Sequence, residues 1–275
     1  MPLGGGFMKN ICKIVMAVAQ IAVPMCLLAG CAPQSTSTND LDPSLGVFSD
    51  AVNSEKKLSP TIYFIKLMNV NEQKCETKKT IFDTTGMPLV KVCPNLYKKC
   101  VIEGTCALVD SDDVEANEGW QNSNTVHNLN LINYVKLKNG VPLFQKVDTE
   151  RCPYGYGVKA ICLDPFYTLA ADLIYHKPGD VIFVQQVVGT VLPGGERHTG
   201  YFIIRDKGGA IKGADRFDFF TGFLDYRHLE NPFTKLGLHD KKTKFEYRKV
   251  TGIEAENIKK KRNYPLTPLS QNASL

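Results

Sequence analysis

The stretch RDKGGAIKGADRFDFFTG, Arg205 to Gly222, sets three aspartates among four glycines and three phenylalanines. Aspartate forms strands poorly and is costly to bury, so the mixture needs a reason. Read as a strand, RFDFF alternates its faces. Phe217 and Phe219 share one face, and Arg216, Asp218 and Phe220 share the other. If the first face is core, Asp218 stands on the opposite wall beside a cation and an aromatic. The same alternation along YFIIRD puts Asp206 in line with Phe202 and Ile204. The glycine-rich KGGAIKG between them can turn tightly and let backbone approach a ligand. Asp215, where that turn re-enters the strand, fits turn chemistry through its own side chain. Two readings stay open for the set: carboxylates satisfied by backbone N–H groups at turns and strand ends, or paired carboxylates in a cleft where one acts as a general acid.

Working outward, the chain has 275 residues, 43% hydrophobic, with a formal charge of +5. A core is affordable, and the length suits one large domain or two modest ones. No Lys/Arg stretch is interleaved with aromatics as in a single-strand-binding groove, so nucleic acid is not an expected partner. The one dense basic run, Lys259 to Arg262, lies within a basic C-terminal tail (251–275) and reads as solvated surface.

From Met8, two lysines precede an uncharged apolar run, Ile14 to Leu28, in the layout of a secretory signal. The run is too short for a comfortable membrane span. It ends in Leu28-Ala29-Gly30-Cys31, which resembles a bacterial lipobox and implies a lipidated Cys31 after a signal peptide at 1–30. Ala32 after that cysteine, where an Asp would retain the protein, implies the periplasmic face of an outer membrane. A Ser/Thr/Asn-rich tether (31–58) follows. The remaining cysteines, Cys75, Cys93, Cys100, Cys106, Cys152 and Cys162, are even in number. In an exported chain they suggest up to three disulfides, with fifteen pairings open. With no CxxC pair and no histidine at ligand spacing, no metal or cofactor is expected.

Four of these cysteines fall within 59–125, expected to be a small disulfide-stapled β subdomain that starts with the strand TIYFIKLMNV (61–70) and includes KTIF and PLVKVC. DSDDVEANEGW (110–120) reads as an acidic loop, with Trp120 a core or loop anchor. The second half is strand-rich: NLINYVKL, GVKAICL, DVIFVQQVVGTVL, GYFIIRD and DRFDFFTG are bounded by Gly, Pro or Asp, with one short helix in FYTLAADLIYH (166–176). Closely spaced strands apolar on both faces suggest a small closed barrel over 126–250. His198, in GGERHTGYF, reads as a structural loop histidine.

DKGGAIKGADRFDFFTG resembles the DTGGAIKG…DxFxG signature of the three-aspartate, or 3D, domain of lytic murein transglycosylases and related cell-wall proteins. TLAADLIYHKPGDVIFV (168–184) is similar to that family's earlier aspartate segment, placing Asp172 at the aspartate and Gly179 at the glycine. The resemblance covers residues 130 to 222. It implies a six-stranded double-psi β-barrel with a groove, and Asp172, Asp206 and Asp218 as the aspartate trio, with Asp218 catalytic. Asp215 is then an extra and Asp164 a decoy. The implied activity is cleavage of the MurNAc-β-1,4-GlcNAc bond of peptidoglycan to a 1,6-anhydro product, with Gly208, Gly209, Lys212, Gly213, Arg216 and Phe220 toward the substrate. Because the substrate's own hydroxyl attacks, one carboxylate suffices where ordinary glycosidases need two. Lys207 in place of the family's Thr, and Leu173 in place of its Pro, depart from the pattern. The other class of function is a non-catalytic glycan-binding or structural envelope lipoprotein on the same barrel.

Overall fold

The computed structural model describes residues 56–70, 74–109 and 130–268. Its elements run β1 (Lys56–Tyr63), β2 (Leu67–Asn69), β3 (Lys79–Asp83), β4 (Pro88–Val92), helix α1 (Pro94–Glu103), β5 (Thr105–Val109), β6 (Asn130–Lys138) and β7 (Val141–Lys146). Then follow β8 (Thr168–Ala171), β9 (Val181–Val184), β10 (Tyr201–Lys207), β11 (Arg216–Phe220), α2 (Pro232–Lys235), β12 (Phe245–Val250) and α3 (Gly252–Lys261).

Six strands close into a barrel in the order β1-β11-β8-β10-β9-β12. The pairs β1–β11 and β8–β10 are parallel; the other four are antiparallel. Exchanging the first three barrel strands (β1, β8, β9) with the last three (β10, β11, β12) maps this order onto itself, parallel pair onto parallel pair. The barrel is therefore two interlocked copies of one strand arrangement. Closure removes free edges, and alternation fills the inside with Leu58, Leu169, Ile182, Phe202, Ile204, Phe217 and Phe219, each fully buried.

The second sheet has the order β2-β5-β6-β7-β3-β4. One face carries Ile81, Val92, Cys106, Leu108, Ile132 and Phe144 beneath Leu96 and Cys100 of α1. From its other face Ala107 and Leu131 share a cluster with Phe220, which points out of the barrel. The six cysteines pair consecutively, first with second, third with fourth and fifth with sixth: Cys75–Cys93, Cys100–Cys106 and Cys152–Cys162. The first ties the N-cap of α1 to the segment before β3, and the second ties its last turn to β5.

Several expectations are corrected. TIYFIKLMNV is two strands in two sheets: β1 ends at Tyr63 inside the barrel, and β2 begins at Leu67 in the other sheet. Leu58, assigned to the tether, is buried barrel core. β6 and β7, assigned to the barrel, belong to the second sheet. α1 was not anticipated, although Pro94 at its first turn and left-handed Gly104 at its end are helix-boundary signals. Residues 166–176 form β8 and a turn, and GVKAICL forms a 3-10 turn and loop. The basic tail is helical in α3 and then docked. Arg262 grips the Asp164 carboxylate at 2.7 and 2.9 Å, and the Leu266 carbonyl accepts from the Cys162 N–H. The signal peptide, Cys31 and Trp120 lie outside the described residues. No described helix is long and apolar enough to cross a membrane.

Candidate active site

The register places one cross-strand row on the barrel's outer wall. Thr61 of β1 lies opposite Asp218 of β11, Asp218 opposite Ala170 of β8, and Ala170 opposite Asp206 of β10. Two carboxylates thus flank a methyl group, with neighbouring strands about 4.8 Å apart. The small Ala170 leaves a floor between them.

A bulge makes the row possible. Unbroken alternation puts Asp206 in line with Phe202 and Ile204, which face the interior. The register shifts between Ile204 and Asp206, so Arg205 is the extra residue and Asp206 emerges outside beside Ala170. Arg205 is itself fully buried, donating to the carbonyls of Cys162 and Arg262 and lying 3.5 Å from Asp164. Gly157 abuts this bulge: a Cβ there would sit 2.2 Å from the Arg205 carbonyl oxygen.

Asp218 is half-buried. Burial pushes its carboxyl above the usual range, and Arg216 opposes that. The Arg216 guanidinium lies 3.2 Å from Oδ1 and is pinned by the Ser59 carbonyl and Thr61 Oγ1. Oδ1 is buried and accepts no hydrogen bond, leaving the guanidinium as its ionic partner. The Asp206 carboxyl is pushed up to about 6, first by burial and least by the charge of Asp218. The Lys207 N–H (2.8 Å), the Tyr63 hydroxyl (3.2 Å) and the Lys207 charge favour its ionised form. Like-charge repulsion between the two carboxylates is thus felt at Asp206, whereas Asp218 is raised by burial.

Tyr63 is the residue sequence reasoning missed. It lies against Phe220, with ring centroids 5.0 Å apart, and reaches across to Asp206. Its hydroxyl is held protonated, first by burial and then by the Asp206 charge. Nothing in TIYFIKLMNV marks it out. Phe220, expected toward the substrate, is fully buried between the barrel and the second sheet. The covered part of the outer wall ends at Tyr63 and Phe220, where the carboxylate row begins.

Asp172 closes β8 and is buried. Its oxygens accept from the Gly213 N–H at 3.0 Å and the Ile174 N–H at 3.1 Å, which hold it below the usual carboxylate range. It clamps the 208–214 loop and stays ionised. Gly213 is left-handed (φ 97°), Gly208 packs under Ile211, and Gly209 and Lys212 are exposed. Asp215 is corrected from a turn former: its carboxylate accepts from Tyr247 at 2.5 Å, tying the loop to β12. His198 is buried with a structural role. Gly200 donates to its Nδ1, its Nε2 donates to the Phe166 carbonyl, and burial drops it to about 4. Among the described residues, no group of three His, Cys, Asp or Glu could hold a metal.

This geometry places two carboxyls, both raised by burial, on one wall. Residues 167–227 match the 3D domain family. No curated protein sequence matches the chain. Similar solved structures include MltA from E. coli with bound chitohexaose, at 12% identity and TM-score 0.42, covering 73% of this chain and 72% of that one. The membrane-bound lytic murein transglycosylase from Agrobacterium tumefaciens stands at 14% and 0.43, covering 72% and 75%. MltA from Neisseria gonorrhoeae stands at 15% and 0.39, covering 68% and 70%. The Asp218–Ala170–Asp206 row therefore lies within residues 167–227, the stretch of this chain that matches the 3D domain family.

Proposed function

We propose that this protein is a lytic transglycosylase of peptidoglycan, with Asp218 as its acid and then its base. The observation that carries this reading is the position of Asp218: half-buried on the outer wall, its carboxyl raised by burial, across Ala170 from Asp206. A protonated Asp218 donates to the glycosidic oxygen as the C1–O bond breaks. The resulting carboxylate takes the proton from the muramyl C6 hydroxyl as O6 bonds to C1, giving the 1,6-anhydro ring and restoring the acid. No water enters. Asp206 and Tyr63 lie where a sugar hydroxyl on the same wall would meet them. At about 6, Asp206 carries its proton in roughly one molecule in ten at pH 7 and can either accept or donate a hydrogen bond. Asp172 acts through the loop it clamps. The Leu28–Cys31 motif supports attachment of this activity to the outer membrane by a lipid on Cys31.

A second reading is favoured by the pinned Arg216, whose charge opposes the upward push of burial on Asp218. On that reading the barrel binds glycan without cutting it. Incubation with purified sacculi separates the two. Release of anhydromuramyl sugars by wild type, lost in a folded Asp218→Asn variant, is the outcome expected of the enzyme. Unchanged release by that variant removes Asp218 as the acid, and binding without any release selects the second reading.

A further inference from the structure

Beyond Asp206 the outer surface opens into a depression of about 700 Å³, a size suited to a bound ligand. The turn at Val158–Ala160, the loop after β8 and Lys207 bound it. Three of its lining residues, Lys159, Lys177 and Lys207, are lysines, and none is a carboxylate. Among the described residues none of these ammonium groups is in an ion pair; Lys207 acts on Asp206 only at longer range. The carboxylates near the rim are already engaged: Asp172 accepts from the Ile174 and Gly213 N–H groups, and Asp180 is paired with Lys249 at 2.7 Å and lies 4.0 Å from His176. His176, buried at the wall, has an Nδ1 with no hydrogen-bond partner. Lys159 is held at φ 55°, a left-handed conformation that costs a residue with a Cβ and that recurs at binding sites. Beside the lysines, Tyr175 and Ile174 are 57% and 82% exposed. They offer a flat ring and an aliphatic surface where a folded chain would ordinarily bury both.

We infer that this depression is a subsite for an acidic peptide borne by the sugar next to Asp206, its carboxylates facing Lys159, Lys177 and Lys207 and its apolar part lying on Tyr175 and Ile174. The inference rests on the proposed peptidoglycan substrate, whose muramyl sugars carry stem peptides with free carboxylates. It makes the peptide, and not the sugar alone, part of what the site selects.

The test uses the full disulfide-bonded chain carrying Asp218→Asn, so that nothing is cut. Calorimetry compares a muramyl disaccharide bearing its stem peptide with the same disaccharide stripped of it. Three exposed ion pairs of ordinary strength predict about tenfold tighter binding of the peptide-bearing form. That preference should shrink with added salt and be lost when Lys159→Ala, Lys177→Ala and Lys207→Ala are combined, with the circular dichroism spectrum retained. Equal affinity for the two ligands, a preference that survives the triple substitution, or binding of neither overturns the subsite. A lysine-dependent preference in a protein whose wild type releases no anhydromuramyl product would instead remove the cutting reaction and leave the subsite standing.

Discussion

Asp206→Asn tests whether the fold keeps a carboxyl at this wall against its own stability. The group stands at about 6 against an ordinary 3.8, with burial the main cause. A carboxyl raised in the folded state costs nothing below about 3.8, where it is protonated folded and unfolded alike. As pH rises through 6, the unfolded chain has already gained by ionising, and the folded state has not. Above 6 the full gap applies, about 3 kcal/mol. Asn is neutral and of similar size, so it avoids that penalty. In Asp206 the Lys207 N–H and the Tyr63 hydroxyl meet different oxygens; in Asn one of those positions is an NH2 donor, so one of the two bonds is lost as it stands, about 1 kcal/mol. The variant should therefore be less stable than wild type by about 0.5 kcal/mol near pH 4 and more stable by about 2 kcal/mol near pH 8. Urea unfolding at the two pH values, with disulfides kept oxidised, reads this directly. A stability difference of the same sign and size at both would refute burial as the source of the raised carboxyl.

Two further outcomes follow from the same wall. Arg216→Met removes the cation 3.2 Å from Asp218, so the alkaline limb of the sacculus-digestion pH profile should move up by about one pH unit. A limb that stays in place would show that Asp218 is not the group titrating there. Gly157→Ala would drive a Cβ to 2.2 Å from the Arg205 carbonyl oxygen. Backbone must move, so about 2–3 kcal/mol of stability should be lost, and digestion should slow as the bulge that aims Asp206 shifts. A variant as stable as wild type would deny that contact.

The local chemistry of the site was readable because it lies in short-range patterns. Alternation through RFDFF puts Phe217 and Phe219 inside and Asp218 outside, and β11 does so. Glycine and aspartate punctuation brackets β10 and β11, and the even count of the six cysteines beyond Cys31 allows up to three disulfides, of which three form. Closure of a barrel was legible too, from strands apolar on both faces. What a linear reading could not supply is any relation set by which strands become neighbours. Tyr63 meets Asp206 across 143 positions because β1 closes the barrel beside β11. Asp206 faces outward only because the ladder between β8 and β10 slips by one residue at Arg205, and periodicity has no term for that slip. Phe220 is buried by a sheet drawn from residues far upstream, so its position beside Asp218 says nothing of its exposure.

On the outer wall one carboxyl sits half out of water, across Ala170 from a second that a backbone irregularity has turned to the same side. Amino-acid order determined which residue types were available and how each strand divides its faces. Tertiary pairing alone decided which of them share a wall, because contact between distant segments follows from hydrogen-bond register and from what lies on top.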